Sequence, residues 1–160
     1  MKRIKTAILG ATGMIGQNYL YLLLSHPWFQ VTSLTGGESA GKKYGSTGKW
    51  LMSPDIPEQY KDVIVKPTEP KDVDADLVFS ALPTSIAKTM EPKFAEAGFH
   101  IISDSSAFRP YDDVPVVIPE VNPDHLSILD VQKRKRKWDG FIVSNPNCTA
   151  LGLTIALKPI

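Results

Sequence analysis

Apolar and polar positions along this chain follow two periods. Short apolar-rich runs of strand length occupy residues 4–9, 29–34, 63–65, 77–82, 99–103, 114–118 and 141–143. Between them, apolar residues recur at helical spacing. Ile15, Tyr19, Leu22 and Leu23 follow the first run, and Ile86, Met90, Phe94 and Ala97 follow the fourth. His26-Pro27 ends the first of these helices and Gly98 the second, in which Pro92 predicts a break or kink. A third helix is expected over residues 124–138, and a fourth from Ala150 to Leu157. Residues 44–62, rich in Gly, Ser, Pro and polar side chains, predict a loop with at most one short strand. Strands alternating with helices imply an α/β fold, a doubly wound and mostly parallel sheet covered on both faces.

Composition narrows the class. A length of 160 residues suits one domain, or one and a part. Hydrophobic content of 42% and charged content of 22% are ordinary for a globular protein. The net charge of +1 supplies no field for nucleic acid or an anionic membrane, so neither is expected as a partner. A single cysteine excludes an internal disulfide and fits a reducing compartment, here the cytoplasm. No apolar run reaches the roughly 18 residues of a membrane span. Gly10, Thr12 and Gly13 interrupt any signal-like core behind the basic N-terminus. The run Lys133-Arg134-Lys135-Arg136-Lys137 reads as a solvated helix face, since aromatic interleaving is absent. His26, His100 and His125 are scattered without metal-ligand spacing, so no metal site is expected.

The first candidate chemistry lies between the first strand and the first helix, at Gly10-Ala11-Thr12-Gly13-Met14-Ile15-Gly16. Glycines at a strand–helix junction inside a β–loop–α–β unit permit a tight turn, close approach of backbone to a pyrophosphate, and close helix packing. The helix N-terminus then favours the phosphate anion. The spacing here is G-x-x-G-x-x-G, a variant of the dinucleotide fingerprint, and a helix start that merely needs glycine to turn would look similar. After the second strand, Glu38 stands near the position where an acidic residue takes ribose hydroxyls. Thr35, Ser39, Lys42 and Lys43 around it suit an additional 2′-phosphate, and equally a solvated loop, which leaves NAD against NADP open. Ser80, Ala81, Leu82 and Pro83 end the strand of residues 77–82, where a doubly wound sheet holds ligands or simply turns into a helix. Asp104-Ser105-Ser106-Ala107-Phe108-Arg109-Pro110 is either an anion-holding loop or an exposed turn.

The second candidate is Ser144-Asn145-Pro146-Asn147-Cys148-Thr149-Ala150, which holds the lone cysteine. An apolar strand leads in and a helix leads out. Asn145 is expected to cap that helix, with Pro146 at its first position and Cys148 in the first turn. There the unpaired N–H groups and the helix dipole favour a thiolate, the nucleophilic form of cysteine. The alternative is a small buried hydrophobe, as most lone cysteines are.

The glycine loop, Ser105-Ser106-Ala107-Phe108-Arg109, Pro119-Glu120-Val121-Asn122 and the cysteine stretch occur in the order found in aspartate-semialdehyde dehydrogenases. Over nearly its whole length the chain resembles the archaeal and fungal type of that family. The resemblance implies a Rossmann-type NADP-binding domain over residues 1–140 and the start of a second α+β catalytic domain over residues 141–160. It also implies NADP-linked, phosphate-dependent interconversion of aspartate 4-semialdehyde and 4-aspartyl phosphate, on the route to lysine, threonine and methionine. Cys148 would form the acyl-thioester, Arg109 would bind phosphate, and Asn147 would lie beside the acyl and phosphate groups. Gly10, Thr12, Gly13, Met14, Ile15 and Gly16 would form the pyrophosphate loop. Thr35, Ser39, Lys42 and Lys43 would belong to the adenosine-phosphate loop. Where family members often carry an arginine in that loop, Gly36-Gly37-Glu38 stands here, so the implied cofactor is NADP without a strict preference over NAD. A homodimer or homotetramer is implied. The family's chains are about twice this long, and its acid–base histidine and carboxylate-gripping arginine lie beyond residue 160, so the sequence is expected to be truncated. Two other readings remain: a related acyl-thioester reductase such as malonyl-CoA reductase, and a cofactor-binding fragment without turnover.

Overall fold

A computed structural model describes residues 2–52 and 55–158 of the chain. Ser53 and Pro54, in the expected loop of residues 44–62, and the terminal Pro159-Ile160 lie outside the described residues. The chain divides into two compact units, residues 1–81 and 82–160.

In the first unit the order is strand β1 (Ile4–Leu9), helix α1 (Met14–Leu23), strand β2 (Phe29–Leu34), helix α2 (Glu58–Lys61) and strand β3 (Leu77–Ser80). Short 3₁₀ turns lie at Tyr44–Ser46 and Pro70–Asp72. β1 pairs in parallel with β2, from Ile4↔Phe29 to Ile8↔Leu34, and with β3, from Thr6↔Leu77 to Leu9↔Ser80. Ala7, Ile8 and Leu9 are fully buried, so both faces of β1 are covered, which is why the run is apolar without alternation. The core of this unit gathers Ile8, Ala11, Leu20, Leu23, Val31, Leu34, Tyr44 and Val65.

α1 turns only part of its expected face inward, Leu23 and the partly buried Tyr19. Gly16, Gln17, Leu20 and Leu23 are buried, whereas Ile15 and Leu22 are 48% and 63% exposed. Gly16 is the cause. A Cβ there would lie 2.2 Å from the Gly10 carbonyl oxygen and 2.7 Å from Ala11 Cα, so the helix docks through its smallest residue. Residues 63–65 form no ladder of their own. Isolated bridges tie Lys43 to Ile64 and Thr35 to Lys66 instead.

The second unit contains α3 (Thr84–Glu96), β4 (His100–Ser103), α4 (Ile128–Arg136), β5 (Phe141–Ser144) and α5 (Cys148–Leu157), with a 3₁₀ turn at Pro123–Ser127 before α4. β4 and β5 are parallel, from His100↔Phe141 to Ser103↔Ser144. α3 continues through Pro92 to Glu96, against the expected break. The carbonyl that loses its donor belongs to Lys88, four residues earlier and exposed, where water can replace the bond. The buried face of α3 is Ala87, Glu91, Phe94 and Ala95, and Ile86 is exposed. Gly98 ends the helix at φ +91°, a conformation that glycine adopts freely. Residues 114–118 make a single bridge, Val116↔Ser144, rather than a strand.

The basic run is not wholly solvated. Arg136 donates from Nε and Nη2 to the carboxylate of Asp113, which is 2% exposed, and its guanidinium lies 4.8 Å from the Trp138 ring and 5.0 Å from that of Tyr111. Gln132, fully buried, donates to the carbonyls of Asp113 and Ile142 and accepts from the Ile142 N–H. Parallel strands alternating with helices make this an α/β fold of the kind the pattern predicts.

Candidate functional site

The candidate residues gather in two clusters of polar groups, one in each unit. In the first unit the turn after β1 is built on Gly10, at φ +73°. The Gly13 N–H bonds back to the Gly10 carbonyl, and the first intrahelical bond of α1 runs from the Gln17 N–H to the Gly13 carbonyl. The amides of Met14, Ile15 and Gly16 therefore precede the intrahelical ladder, which is the arrangement that receives an anion. Gly13 itself is extended, at φ −76°, and a Cβ there would meet nothing closer than 3.5 Å. The glycine needed for packing is Gly16, and the one needed for turning is Gly10.

Two residues absent from the sequence-based prediction brace this loop. The Tyr44 hydroxyl, inside the core, donates to the Ala11 carbonyl at 2.8 Å, and burial raises its pKa. Gln17 donates to the carbonyls of Thr12 and Lys49 and accepts from the Leu51 N–H at 2.8 Å. Gln17, between Gly16 and Asn18 in the sequence, carried no signal. Tyr44 had none, because it falls in a stretch of loop composition.

Thr12, Gly37, Glu38, Ser39, Lys42 and Thr47 line a surface cleft of about 370 Å³ in this unit. The hydroxyls of Thr12 and Ser39 lie 3.3 Å apart. Three hydroxyls, one ammonium and one carboxylate in one cleft suit a phosphorylated sugar. Of the residues expected in the adenosine-phosphate loop, Ser39 and Lys42 line this cleft. Thr35 is fully buried, with its hydroxyl 2.9 Å from that of Thr68, because it carries the pairing of β2 one step further. Lys43 is ion-paired with Asp62 at 2.8 Å, both exposed, which holds the Lys43 pKa above its ordinary value. Ser80 is buried, the Ala81 N–H donates to the Leu9 carbonyl, Leu82 is nearly buried, and Pro83 is exposed just ahead of α3.

In the second unit Cys148 is exposed and is the first residue of α5. The cap is Asn147 rather than Asn145. Its Oδ1 accepts from the N–H groups of Thr149 at 2.9 Å and Ala150 at 3.3 Å. Asn145 is instead part of the connection between strand ends, with its N–H donating to the Ser103 carbonyl at 2.7 Å. Its side-chain amide donates to Asp104 Oδ1 at 2.5 Å. Arg109 donates from Nε to the Asn145 carbonyl and from Nη2 to the Asp104 carbonyl, each at 2.8 Å. The structure thus brings Arg109 to the segment that carries Asn147 and Cys148. A buried relay supports the same loop: Ser103 Oγ donates to Glu91, the Ser105 N–H donates to Ser103 Oγ, and the Ala107 N–H donates to Ser105 Oγ. Among the described residues no cluster of three His, Cys, Asp or Glu could hold a metal ion, and no helix is long and apolar enough to cross a membrane.

Comparison with known proteins adds a third line. A family model described as "Semialdehyde dehydrogenase, NAD binding domain" matches residues 5–129. The aspartate-semialdehyde dehydrogenase of Archaeoglobus fulgidus is 55% identical over 159 residues, covering 99% of this chain and 46% of that protein. The malonyl CoA reductase (NADP) of Metallosphaera sedula is 44% identical over 160 residues, covering 99% of this chain and 45% of that protein. The crystal structure of aspartate semialdehyde dehydrogenase with NADP from Candida albicans superposes with a TM-score of 0.89 at 36% identity, over 99% of this chain and 46% of that one. The chain spans less than half the length of these relatives.

Proposed function

Because the chain belongs to the semialdehyde dehydrogenase NAD-binding-domain family, we propose that it serves NADP-linked, phosphate-dependent interconversion of aspartate 4-semialdehyde and 4-aspartyl phosphate. The observation that carries this reading is an exposed Cys148 at the first position of a capped helix, on a segment bonded to Arg109. In the oxidative direction Cys148 Sγ adds to the aldehyde carbon, and the carbonyl oxygen takes the negative charge. The N–H groups at the start of α5 are donors suited to that oxyanion. A bound nicotinamide supplies the hydride acceptor for the resulting adduct. The acyl group is then held on Sγ as a thioester. Phosphate attacks the acyl carbon, the C–S bond breaks, and the thiolate returns as 4-aspartyl phosphate leaves. Arg109 uses Nε and one Nη2 proton on main-chain carbonyls, so three of its five N–H donors remain for the phosphate. Asn147 holds the helix start in place through its cap.

For the cofactor, the turn at Gly10 and the amides of Met14, Ile15 and Gly16 would receive the pyrophosphate. Thr12, Ser39, Lys42 and Thr47 would receive the adenosine phosphate, and Glu38 would receive ribose hydroxyls. The open cleft and the close packing at Gly16 fit such a group. The Candida albicans relative, which carries NADP, supports the phosphorylated cofactor.

The Metallosphaera sedula relative favours one second reading, reduction of an acyl-CoA thioester through the same cysteine. The experiment that separates the two uses the complete protein. Phosphate-dependent reduction of NADP⁺ by aspartate semialdehyde, with no oxidation of NADPH by malonyl-CoA, is the expected result. The opposite pattern would replace this reading with the second. Cofactor binding without turnover of either substrate would leave only the nucleotide-binding role.

A further inference from the structure

Asp104 follows β4 and Asn145 follows β5, and the two side chains join the strand ends by a side-chain hydrogen bond of 2.5 Å between residues 41 positions apart. Both residues are engaged through more than their side chains. The Asn145 N–H donates to Ser103, and its carbonyl accepts from Arg109 Nε. The Asp104 carbonyl accepts from Arg109 Nη2. Arg109 therefore sits on a frame made by two main-chain carbonyls. Its guanidinium is planar, so two fixed donors fix the direction of the other three. The frame also reaches the nucleophile. Asn145 precedes Pro146, whose ring locks its own φ and restricts the residue before it. Pro146 leads directly to the Asn147 cap and to Cys148. Asp104 Oδ1 accepts from the Nδ2 end of the Asn145 amide and so sets which way that amide faces.

We infer that Asp104 and Asn145 are positioning residues: their side-chain pair aims the Arg109 guanidinium and sets the point from which the Cys148 helix starts. The inference rests on the proposed roles of Cys148 and Arg109, and neither Asp104 nor Asn145 touches the reacting atoms.

A donor–acceptor exchange in the complete enzyme tests it. Asn145→Asp places two carboxylates face to face where a donor met an acceptor. The double variant Asp104→Asn with Asn145→Asp restores one donor and one acceptor with their places exchanged. Two readouts are followed. One is the rate of Cys148 alkylation by iodoacetamide, located by mass spectrometry of its peptide. The other is kcat and the KM for phosphate, beside the KM for NADP⁺. Asn145→Asp should slow alkylation and raise the phosphate KM, each roughly tenfold or more, with the NADP⁺ KM within about twofold. The exchanged pair should return both to within about threefold of the wild type. Should Asn145→Asp fail to fold, Asp104→Ala removes the acceptor without adding charge and should move both readouts in the same direction. An exchanged pair no better than Asn145→Asp, or an Asp104→Ala variant unchanged in both readouts, would overturn the inference. The alkylation series reports on the pair even if the wild-type enzyme proves inactive with aspartate semialdehyde, so failure of the pair and failure of the proposed reaction remain distinguishable.

Discussion

Gly16→Ala is a small chemical change for which the structure predicts a large effect on both packing and the candidate cofactor loop. The added methyl would stand 2.2 Å from the Gly10 carbonyl oxygen and under 3 Å from Ala11 Cα and its carbonyl carbon. All three are backbone atoms, so no side chain can swing aside. Ordinary contact needs roughly 1 Å more, which moves either α1 or the Gly10 turn. Overpacking of this kind costs about 1–3 kcal/mol, and backbone contacts place Gly16 at the upper end. At about 2–4 °C per kcal/mol for a chain of this size, the melting temperature should fall by about 4–12 °C. The displaced turn is also the proposed pyrophosphate seat, so NADP⁺ affinity should fall about tenfold or more. Gly13→Ala is the internal control. Its Cβ would meet only Gly10 O, at 3.5 Å, and its φ is ordinary. It should melt within about 2 °C of the wild type. Thermal unfolding by circular dichroism and a fluorescence titration of cofactor check both. A Gly16→Ala protein that melts and binds like the wild type, or a Gly13→Ala protein that is the worse of the two, would refute the packing argument.

Three further outcomes are expected. Gln17→Leu removes three part-buried hydrogen bonds, to the Thr12 and Lys49 carbonyls and from the Leu51 N–H; it should cost about 1–2 kcal/mol and expose residues 49–51 to proteolysis, and an unchanged cleavage pattern would count against the brace. Hydrogen bonds from Arg136 hold the Asp113 carboxyl below its ordinary value. The folded chain therefore releases that proton at lower pH than the unfolded chain. The stabilisation is complete above about pH 4 and is lost as pH falls through the folded value. Between about pH 5 and pH 2 the melting temperature should fall more steeply for the wild type than for Asp113→Asn, and parallel curves would contradict this. Lys42→Ala should weaken NADP⁺ binding about tenfold at low salt with little change for NAD⁺, while Lys43→Ala, already paired to Asp62, should change neither by more than about twofold; equal effects at the two positions would remove the cleft from cofactor selection.

Much of this molecule is legible in its sequence because its strands are short apolar-rich runs separated by helices and turns. β1 and β2 match the predicted runs residue for residue, and β3, β4 and β5 lie within a residue or two of theirs. The four longer helices were placed within a few residues, α2 falls in a stretch expected to be loop, and the inward faces of α1 and α3 were read only in part. In α1 the contact is made through Gly16, and periodicity weighted by side-chain size points to Ile15 and Leu22 instead. In α3 the buried set includes Glu91, whose partner Ser103 lies on another element. The runs at residues 63–65 and 114–118 look like strands locally and form only single bridges, because strand formation needs a neighbour in register. The cysteine motif placed Cys148 in the first helical turn, but the cap proved to be Asn147, which leaves Asn145 for the strand-end frame. The braces at Tyr44, Gln17 and Gln132 were illegible, since each bonds main-chain groups distant in sequence.

The central claim is that Cys148 carries the acyl group. The most direct measurement mixes the complete enzyme rapidly with aspartate semialdehyde and NADP⁺ in the absence of phosphate, follows NADPH, and then maps the mass of the Cys148 peptide. The expected result is a burst of about one NADPH per active site, a hydroxylamine-labile acyl adduct on Cys148, release of that adduct on adding phosphate, and no burst in Cys148→Ser. Steady turnover without phosphate, an adduct on another residue, or a burst retained in Cys148→Ser would contradict it.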